Sequence, residues 1–428
     1  MGAYLIKGGR PACGEITISG NKNSALPCLA ATLLTDDTIR LCNVPDIEDV
    51  RVMCKLLKSL GSLIVPVDSH TLDITSGSRK GNLDTKLVES VRGSILLLGP
   101  LLAICGEARL SPPGGDVIGY RRLDTHFLGF SSLGSTCSIE EDGSLYIGSK
   151  RSRLKGNTIF LDESSVTATE NVLMAASLAE GESLVLNAAS EPHVQDLCNL
   201  LNLMGCKVEG IGSNVLRIKG QKKLHGCTFS LGSDFMEIGS FIGLAGASRG
   251  DILLKGVQLE HLKMIRLGFQ RIGLDFKVDG PSSIRVPKNQ KRLLYKEVGG
   301  HTGKVDDAPW PGFPADLLSI LTVCATQMKG SILIHEKMFE SRMYFVDWLI
   351  RMGADIILCD PHRAVVNGPS RLQGAIVTSP DVRAGMALVI AATCAEGETR
   401  IENIYQIERG YERLSEKLIA LGLAIEKV

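Results

Sequence analysis

Cationic residues stand where several helices are expected to begin, and this placement suits the binding of an anion. Lys22 lies in Gly20-Asn21-Lys22-Asn23-Ser24, between a predicted strand and an apolar helix. A helix N-terminus carries unpaired backbone N–H groups and the positive end of the helix dipole. The simpler alternative is an ordinary N-cap formed by Asn or Ser, with the lysine in solvent. Similar polar starts recur at 91–94, 164–167, 313–316 and 380–383.

Arginine positions indicate which kind of anion would bind, because arginine holds carboxylate and phosphate through two parallel hydrogen bonds. If the helix starts converge on one cleft, that cleft would hold Lys22, Arg92, Arg383 and Arg409. A cluster of this kind suits a ligand that carries both a phosphate and a carboxylate.

A loop is predicted over residues 111–122, where two prolines and three glycines occur within twelve residues. This segment is a candidate lid over a site. Asp116 lies near its centre, five residues before the pair Arg121-Arg122. Taken alone, Asp116 is more typical of a solvated turn than of a catalytic site.

Common cofactor and nucleotide motifs are absent. No G-x-x-x-x-G-K-[ST] occurs, and no G-x-G-x-x-G opens a helix after a strand. His335-Glu336 lacks the second histidine of a zinc protease, and no histidine pair has metal-ligand spacing. We therefore expect chemistry without a cofactor or a metal.

The composition is that of a folded globular protein. The 428 residues include 47 Lys+Arg and 47 Asp+Glu, and this balance argues against a nucleic-acid partner. The longest apolar stretch, 95–105, is shorter than the roughly 20 residues of a membrane span. Twelve cysteines without a C-x-x-C pair suggest thiols in a reducing compartment. These features predict a cytoplasmic protein without a membrane partner; they leave the oligomeric state open.

The chain repeats one pattern of strand, helix, strand and helix six times. Each copy closes in a hydrophobic residue followed by glycine, and these glycines are 68 to 80 residues apart: Gly61, Gly134, Gly205, Gly273, Gly353 and Gly422. A glycine after a helix typically adopts the left-handed C-cap conformation. Six such copies predict an α/β fold of two lobes with three repeats each, the break lying near 231–235.

The motifs together resemble the enolpyruvyl transferase family, and its sugar-nucleotide branch in particular. The resemblance covers nearly the whole chain and rests on ISGNKNSALP, the Pro-Gly-Gly loop, PGFPADL, FESRM, PDVRAG and ERGYERL. It implies an inside-out α/β barrel of six βαβαββ-like repeats, with the active site between the lobes. The N-terminal lobe would be 22–232, with the lid loop at about 111–122, and the C-terminal lobe 1–21 plus 233–428.

The resemblance also implies a reaction, in which the enolpyruvyl group of phosphoenolpyruvate moves to the 3-hydroxyl of UDP-N-acetylglucosamine. The reaction would proceed by addition to a tetrahedral ketal and then elimination of phosphate. It would be the first committed step of peptidoglycan synthesis. Lys22, Arg121 and Arg409 match ligands of the donor phosphate, and Arg342 and Arg383 match ligands of its carboxylate.

Other matched positions belong to the acceptor and to proton transfer. Asn23 matches a residue that touches both substrates, and Asp316 matches the carboxylate beside the acceptor hydroxyl, a candidate base. The residues matched to the sugar nucleotide, besides Asn23 and Asp316, are Arg92, Arg121, Arg122, Leu123, Asp124, Thr125, Ser165, Val166, Thr167 and Met338. Asp116 stands where most members carry a cysteine that acts as general acid and reacts with fosfomycin, so an active but fosfomycin-insensitive enzyme is expected.

Two departures leave the acceptor open. Arg122 replaces a frequent proline, and Thr167 replaces the glycine of the usual S-V-G-A-T. The alternatives are a transferase with another acceptor, such as a nucleotide in specialised metabolism, and a sugar-nucleotide-binding paralogue without turnover. Shikimate 3-phosphate fits the motifs less well. The basic segment 286–304 is expected to be a solvated surface insertion.

Overall fold

The computed structural model describes residues 2–79, 83–115, 119 and 121–428, which form two compact units. The N-terminal unit comprises residues 20–115 and 121–232. The C-terminal unit comprises residues 2–19 and 233–428 together with Gly119. Asp116 lies outside the described residues.

The N-terminal unit contains short strands and helices in alternation. Its described strands are Ile39–Cys42, Leu63–Pro66, Leu72–Thr75, Glu107–Leu110, Thr136–Ile139, Leu145–Gly148, Thr158–Phe160, Glu182–Leu186, Lys207–Glu209, Val215–Lys219 and Thr228–Ser230. Its described α-helices are Lys22–Ala31, Glu48–Ser59, Thr85–Ser90, Leu98–Cys105, Asp124–Ser132, Val166–Ala176 and Pro192–Leu203.

The C-terminal unit follows the same alternation. Its described strands are Ala3–Lys7, Cys13–Thr17, Asp251–Lys255, Lys277–Val278, Ser283–Val286, Gly303–Asp306, Gly330–His335, Asp355–Asp360, Arg363–Gly368, Ile376–Thr378, Glu398–Glu402 and Ala424–Lys427. Its described α-helices are Phe235–Ser248, Lys263–Arg271, Leu318–Ala325, Val346–Arg351, Val382–Cys394, Tyr405–Glu408 and Leu414–Ala420.

The strands of the described chain form six sheets, as many as the predicted repeats, which confirms the fold class. Two strands are exchanged between repeats: Thr228–Ser230 of the fourth joins the sheet of the first, and Cys13–Thr17 of the first joins the sheet of the fourth. Five sheets have four strands, with one parallel pair extended by antiparallel neighbours. The sheet of the second repeat has three strands among the described residues, all antiparallel. Strand Ala3–Lys7 joins the sheet of the last repeat, and strand Cys13–Thr17 pairs with Asp251–Lys255.

Three helices form the centre of the C-terminal unit. Phe235–Ser248, Leu318–Ala325 and Val382–Cys394 pack against one another and are buried along nearly their whole length. A helix that is apolar on all sides is stable in water only when other parts of the protein bury every side of it. In the N-terminal unit, Lys22–Ala31 and Val166–Ala176 are buried in the same way. No helix in the described ranges is long and apolar enough to cross a membrane.

The six repeat-closing glycines adopt the predicted conformation. All have positive φ, between 78° and 99°, at the residue that follows a helix end. A side chain at such a position would be strained, so glycine is favoured for a physical reason.

The segment 286–304 is only partly a solvated surface insertion, because Arg292 within it caps helix ends. Its guanidinium donates to the carbonyl oxygens of Gly246 (2.5 Å), Ala247 (3.2 Å) and Gln327 (3.3 Å). These carbonyls end core helices and have no partner within the helix. Burial is the main cause that lowers the pKa of Arg292. The interpretation from the sequence was therefore wrong for this residue.

Replacing Arg292 with alanine is expected to lower the free energy of unfolding by about 3 kcal/mol, because three buried carbonyls lose a charged donor. Urea denaturation followed by far-ultraviolet circular dichroism measures this loss. Lys291→Ala is the matched control, since Lys291 is exposed, and it should change stability by less than about 0.5 kcal/mol. Equal stability of the two variants would contradict the capping role.

Candidate active site

A carboxylate held by two arginines is the central feature of the C-terminal unit. Asp316 accepts from Arg342 Nη2 at 2.5 Å and from Arg383 Nε at 3.0 Å. The side chains of Arg342 and Arg383 are only 11% and 6% exposed, whereas that of Asp316 is 25% exposed. The two guanidinium groups therefore lie below a carboxylate that solvent still reaches.

Local structure explains why these three side chains meet. Asp316 lies in the 3₁₀ turn Ala315–Leu317, which leads into the core helix Leu318–Ala325. Arg383 is the second residue of the core helix Val382–Cys394, whose first turn is capped by the carboxylate of Asp381. Arg342 begins the 3₁₀ turn Arg342–Phe345. Asp316 and Arg383 lie at the starts of core helices, and Arg342 lies in a turn that follows the strand Gly330–His335. The backbone at each of the three residues is therefore held in place by buried neighbours.

Aromatic rings support both guanidinium groups. Arg342 lies over the ring of Phe339 at 4.9 Å, and Arg383 lies over the ring of Tyr411 at 5.3 Å. The Tyr411 hydroxyl is 2.7 Å from Ser240 Oγ in the core. Contact with an aromatic ring helps to orient both guanidinium groups, and Arg383 is in addition hydrogen-bonded to the side chain of Tyr411.

The electrostatics of the cluster favour an ionised Asp316. Burial raises the pKa of its carboxyl, but the charges and hydrogen bonds of Arg342 and Arg383 outweigh burial and hold that pKa well below its usual range. A carboxylate in this state is a weak base. The negative charges of Asp381 and Asp234 also act on Arg342 and Arg383 respectively, so the two arginines stand among several acidic residues.

The two remaining sequence-predicted residues of this unit lie in different surroundings. Arg409 is buried, at 6% exposure, and its Nη1 donates to Gln406 Oε1 at 3.4 Å. It stands two residues before Tyr411, in the same turn. Met338 has an exposed side chain, and its backbone N–H donates to Asp307.

In the N-terminal unit, Lys22 is not a solvated lysine. Its Nζ lies 2.6 Å from Asp49 Oδ2, with side chains 13% and 5% exposed. Asn21 is the N-cap of the helix, and its Oδ1 accepts from the backbone N–H groups of Asn23 (2.8 Å) and Ser24 (3.3 Å). Both interpretations of this motif thus hold in part: the helix is capped, and a buried cation stands at its first residue.

Arg92 and the Pro-Gly-Gly segment form a second cationic group. Arg92 donates to the carbonyl oxygen of Arg121 at 3.0 Å and to that of Pro113 at 3.5 Å. Burial, followed by the charge of Arg121, lowers the pKa of Arg92 to about 10. Gly115 has φ of 109°, and a Cβ there would lie 2.8 Å from Arg92 Cβ. Glycine is therefore needed at this position, both for its conformation and for its close approach to Arg92.

The stretch 121–125 is fixed by Asp162. Arg122 donates to Asp162 at 2.9 Å and to Asp124 at 3.3 Å, and Thr125 donates its hydroxyl to Asp162 at 2.7 Å. Thr125 is buried, whereas Arg122 and Asp124 are exposed and Leu123 packs partly against the core. The side chain of Thr125 is thus engaged within the fold rather than directed to a ligand.

Residues 165–167 open the helix Val166–Ala176. The side chain of Ser165 does not cap this helix. Thr167 Oγ1 is 3.1 Å from Nε2 of the buried His126, and Asn171 Nδ2 donates to Nδ1 of the same ring at 3.1 Å. Burial, followed by the charge of Arg92, lowers the pKa of His126 to about 3. The ring is therefore neutral and donates from Nε2 to Thr167.

The structure brings together Asp316, Arg342 and Arg383 in one unit, and Arg92 and Arg121 in the other. Sequence analysis missed several partners of the predicted site residues: the buried Asp49, His126, Asn171, Glu336 and Tyr411, and the exposed Asp162. Tyr411 lies within the motif ERGYERL and could have been found there. Asp49 and Asp162 carry no local signal, because only the tertiary fold joins them to their partners.

Comparison of folds defines the class of protein. The enolpyruvyl transferase NikO from Streptomyces tendae aligns with a TM-score of 0.86 at 23% identity, covering 100% of this chain and 99% of that one. An EPSP synthase from Acinetobacter baumannii aligns with a TM-score of 0.76 at 18% identity, with full coverage of both chains. These likenesses establish the two-lobed α/β fold.

The chain belongs to the EPSP synthase (3-phosphoshikimate 1-carboxyvinyltransferase) family, whose profile matches residues 6–418. It is 53% identical over 427 residues to UDP-N-acetylglucosamine 1-carboxyvinyltransferase from Treponema denticola, covering 100% of this chain and 99% of the relative. The protein of the same name from Bradyrhizobium diazoefficiens is 51% identical, with 99% and 98% covered. The family expected from the motifs is thereby confirmed.

Proposed function

We propose that the chain transfers the 1-carboxyvinyl group of phosphoenolpyruvate to the 3-hydroxyl of UDP-N-acetylglucosamine, with release of phosphate. The observation that carries this proposal is identity above half, over the full chain, to transferases of that name. The buried pair Arg342 and Arg383 supports it, because two guanidinium groups with one exposed face suit the carboxylate of the donor.

The donor carboxylate would replace Asp316 on its two arginines. In the structure without substrate, Asp316 occupies the groups that a carboxylate ligand needs. When the donor takes those hydrogen bonds, the pKa of Asp316 rises towards its usual range because the arginines are then shared. Asp316 would thus become a competent base only after the donor is bound.

The donor phosphate would be held by Lys22, Arg121 and Arg409, with Asn23 touching both substrates. Support comes from the surroundings of these residues: Lys22 is largely buried at a helix start, and Arg121 adds its charge beside Arg92. Concentrated, partly desolvated cations favour a phosphate over a neutral ligand.

The sugar nucleotide would lie along residues 121–125, 165–167, Arg92 and Met338. The uncapped start of helix Val166–Ala176 offers backbone N–H groups to a diphosphate. Arg122 and Asp124 contribute exposed polar groups. The buried Thr125 holds residues 121–125 in place through its hydrogen bond to Asp162.

In the proposed chemistry, Asp116 protonates the methylene carbon of phosphoenolpyruvate, and Asp316 removes the proton of the attacking 3-hydroxyl. The new C–O bond gives a tetrahedral ketal. Asp316 then gives its proton to the phosphate as the C–O bond to phosphate breaks, and a methyl proton returns to Asp116. These steps restore the double bond in the product and both carboxyls to their starting states. No cofactor or metal is needed for this sequence of steps.

The proposal places the enzyme in the cytoplasm, at the first committed step of peptidoglycan synthesis. The twelve cysteines without a C-x-x-C pair support this location, because free thiols are typical of a reducing compartment.

Phosphate release tests the proposal. The purified chain is incubated with phosphoenolpyruvate and, separately, UDP-N-acetylglucosamine, UMP or shikimate 3-phosphate, with a reaction lacking acceptor as control. We expect sustained release with the sugar nucleotide only. Release with another acceptor alone, or tight binding of UDP-N-acetylglucosamine without release, would overturn it.

A further inference from the structure

A small polar pocket lies behind Arg342 in the C-terminal unit. It is lined by Ser319 of the core helix Leu318–Ala325, Glu336 at the end of strand Gly330–His335, Arg342, and Asp381, with Met343, Phe345 and Ala384 as apolar walls. Three buried polar atoms in it have no hydrogen-bond partner, namely Ser319 Oγ, Glu336 Oε1 and Arg342 Nε. Glu336 is 1% and Ser319 8% exposed. An unsatisfied buried group costs about 1–3 kcal/mol, so three in one pocket require a reason.

Glu336 is held by a second buried acid. Its carboxyl shares a hydrogen bond with Asp307, which is fully buried, and also accepts from the backbone N–H of Phe339. Asp307 in turn accepts from the backbone N–H groups of Lys337 (2.5 Å) and Met338 (3.3 Å). Placing two negative charges on adjacent buried carboxyls is costly, so Glu336 keeps its proton at neutral pH. Burial, followed by the hydrogen bond and charge of Asp307, raises the pKa of Glu336 to about 9 despite the opposing charge of Arg342.

We propose that Glu336 and Ser319 are positioning residues for Arg342, receiving its Nε–H when its outer N–H groups release Asp316 and hold the substrate carboxylate. This rests on the proposed function, in which Arg342 binds that carboxylate. The pocket that Arg342 lines holds two unpartnered acceptors together with its unpartnered Nε–H, whereas Asp316 accepts from its Nη2. The ring of Phe339 guides the guanidinium between the two arrangements.

The neutral form of Glu336 is essential to this role. A carboxylate there would form a salt bridge with Arg342 and compete with the substrate. A carboxylic acid accepts the hydrogen bond without removing the positive charge. The charged or titratable groups around Glu336 are Asp307, Arg342, Asp381 from the cap of the helix Val382–Cys394, and His362, whose ring lies against the Glu336 carbonyl oxygen.

The test compares Glu336→Ala, Glu336→Gln and Ser319→Ala, with Thr399→Val as matched control. Thr399 also carries a buried, unpartnered hydroxyl but lies in strand Glu398–Glu402, away from the pocket. We measure KM for phosphoenolpyruvate and kcat from pH 6 to 10, and direct binding of phosphoenolpyruvate by calorimetry. Glu336→Ala should raise KM and Kd about tenfold, and Ser319→Ala about threefold, while kcat changes by less than about twofold.

The dependence of KM for phosphoenolpyruvate on pH distinguishes a positioning role of Glu336 from a purely structural one. As pH rises through about 9, wild-type Glu336 ionises, pairs with Arg342, and KM for phosphoenolpyruvate rises. Glu336→Gln cannot ionise, so its KM should match wild type at pH 7.5 and stay flat at alkaline pH. Thr399→Val should keep the wild-type profile.

Two outcomes would overturn the inference: an alkaline rise of KM that persists in Glu336→Gln, or unchanged binding in both Glu336→Ala and Ser319→Ala. If Glu336→Ala does not fold, Glu336→Gln and Ser319→Ala decide alone. Wild-type turnover tests the proposed function separately, since the calorimetric comparison holds for any acceptor.

Discussion

Replacing Asp316 with asparagine is expected to abolish most turnover while phosphoenolpyruvate binds more tightly than to wild type. Loss of a general base lowers kcat by about 10³-fold. The same change removes the internal carboxylate that competes for Arg342 and Arg383. Catalysis and donor binding should therefore move in opposite directions. Few other substitutions in this cluster would do so, since removing either arginine weakens both.

Stability gives this prediction a second measurement. Without a ligand, Asp316→Asn leaves two buried cations without their carboxylate, and such a loss costs about 3–5 kcal/mol. Phosphoenolpyruvate or pyruvate should restore much of the loss in thermal unfolding, because each supplies a carboxylate. Asp275→Asn is the matched control: Asp275 also pairs with an arginine, Arg266, but that pair is largely exposed. A kcat within tenfold of wild type, or unchanged donor affinity, would contradict the proposed exchange.

The repeat explains why so much of the fold follows from the sequence. Each glycine that closes a copy adopts positive φ directly after a helix. This conformation depends on local backbone geometry, so a glycine at such a place predicts a helix end wherever the helix lies in the fold. The second copy departs from the pattern where its sequence is loosest. Its sheet has three strands among the described residues, and no parallel partner precedes its helix there.

The candidate site follows from the sequence only where a motif carries it. Asp316 and Arg383 stand at helix starts, which sequence analysis can recognise. Glu336 gives no such signal: from the sequence it is one half of an incomplete zinc motif. Its role depends on Asp307, which reaches it from a neighbouring strand. Sequence periodicity identifies buried apolar residues, but it does not show which buried acid lies beside another.

Arg92 illustrates a second limit of sequence analysis: a family resemblance assigns a residue to a ligand but does not show its contacts within the fold. The resemblance assigns Arg92 to the sugar nucleotide, yet in the structure its guanidinium donates to two backbone carbonyls, of Pro113 and Arg121, near the two ends of the predicted lid loop. One residue can serve both tasks, because an arginine has five donors. Its placement links the loop to the cation group that includes Arg121.

Asp116 is the position at which a single substitution should distinguish acid chemistry from thiol chemistry. It lies outside the described residues, directly after Gly115, whose backbone is held against Arg92. Asp116→Asn cannot donate a proton and should lower kcat by about 10³-fold. Asp116→Cys should keep substantial activity, because a thiol can donate a proton at that position as in most members of the family.

Fosfomycin provides the second readout for Asp116, measured by mass spectrometry of the intact protein. Wild type should remain unlabelled, since a carboxylate is a poor nucleophile towards the epoxide, and its exposed Cys13 and Cys359 serve as internal controls. Asp116→Cys should gain one adduct and lose activity, because a thiolate is a strong nucleophile towards the epoxide. Near-normal turnover of Asp116→Asn would remove Asp116 from the mechanism. Labelling of the wild-type chain would show that another residue carries the reactive group, and the predicted insensitivity would then be wrong.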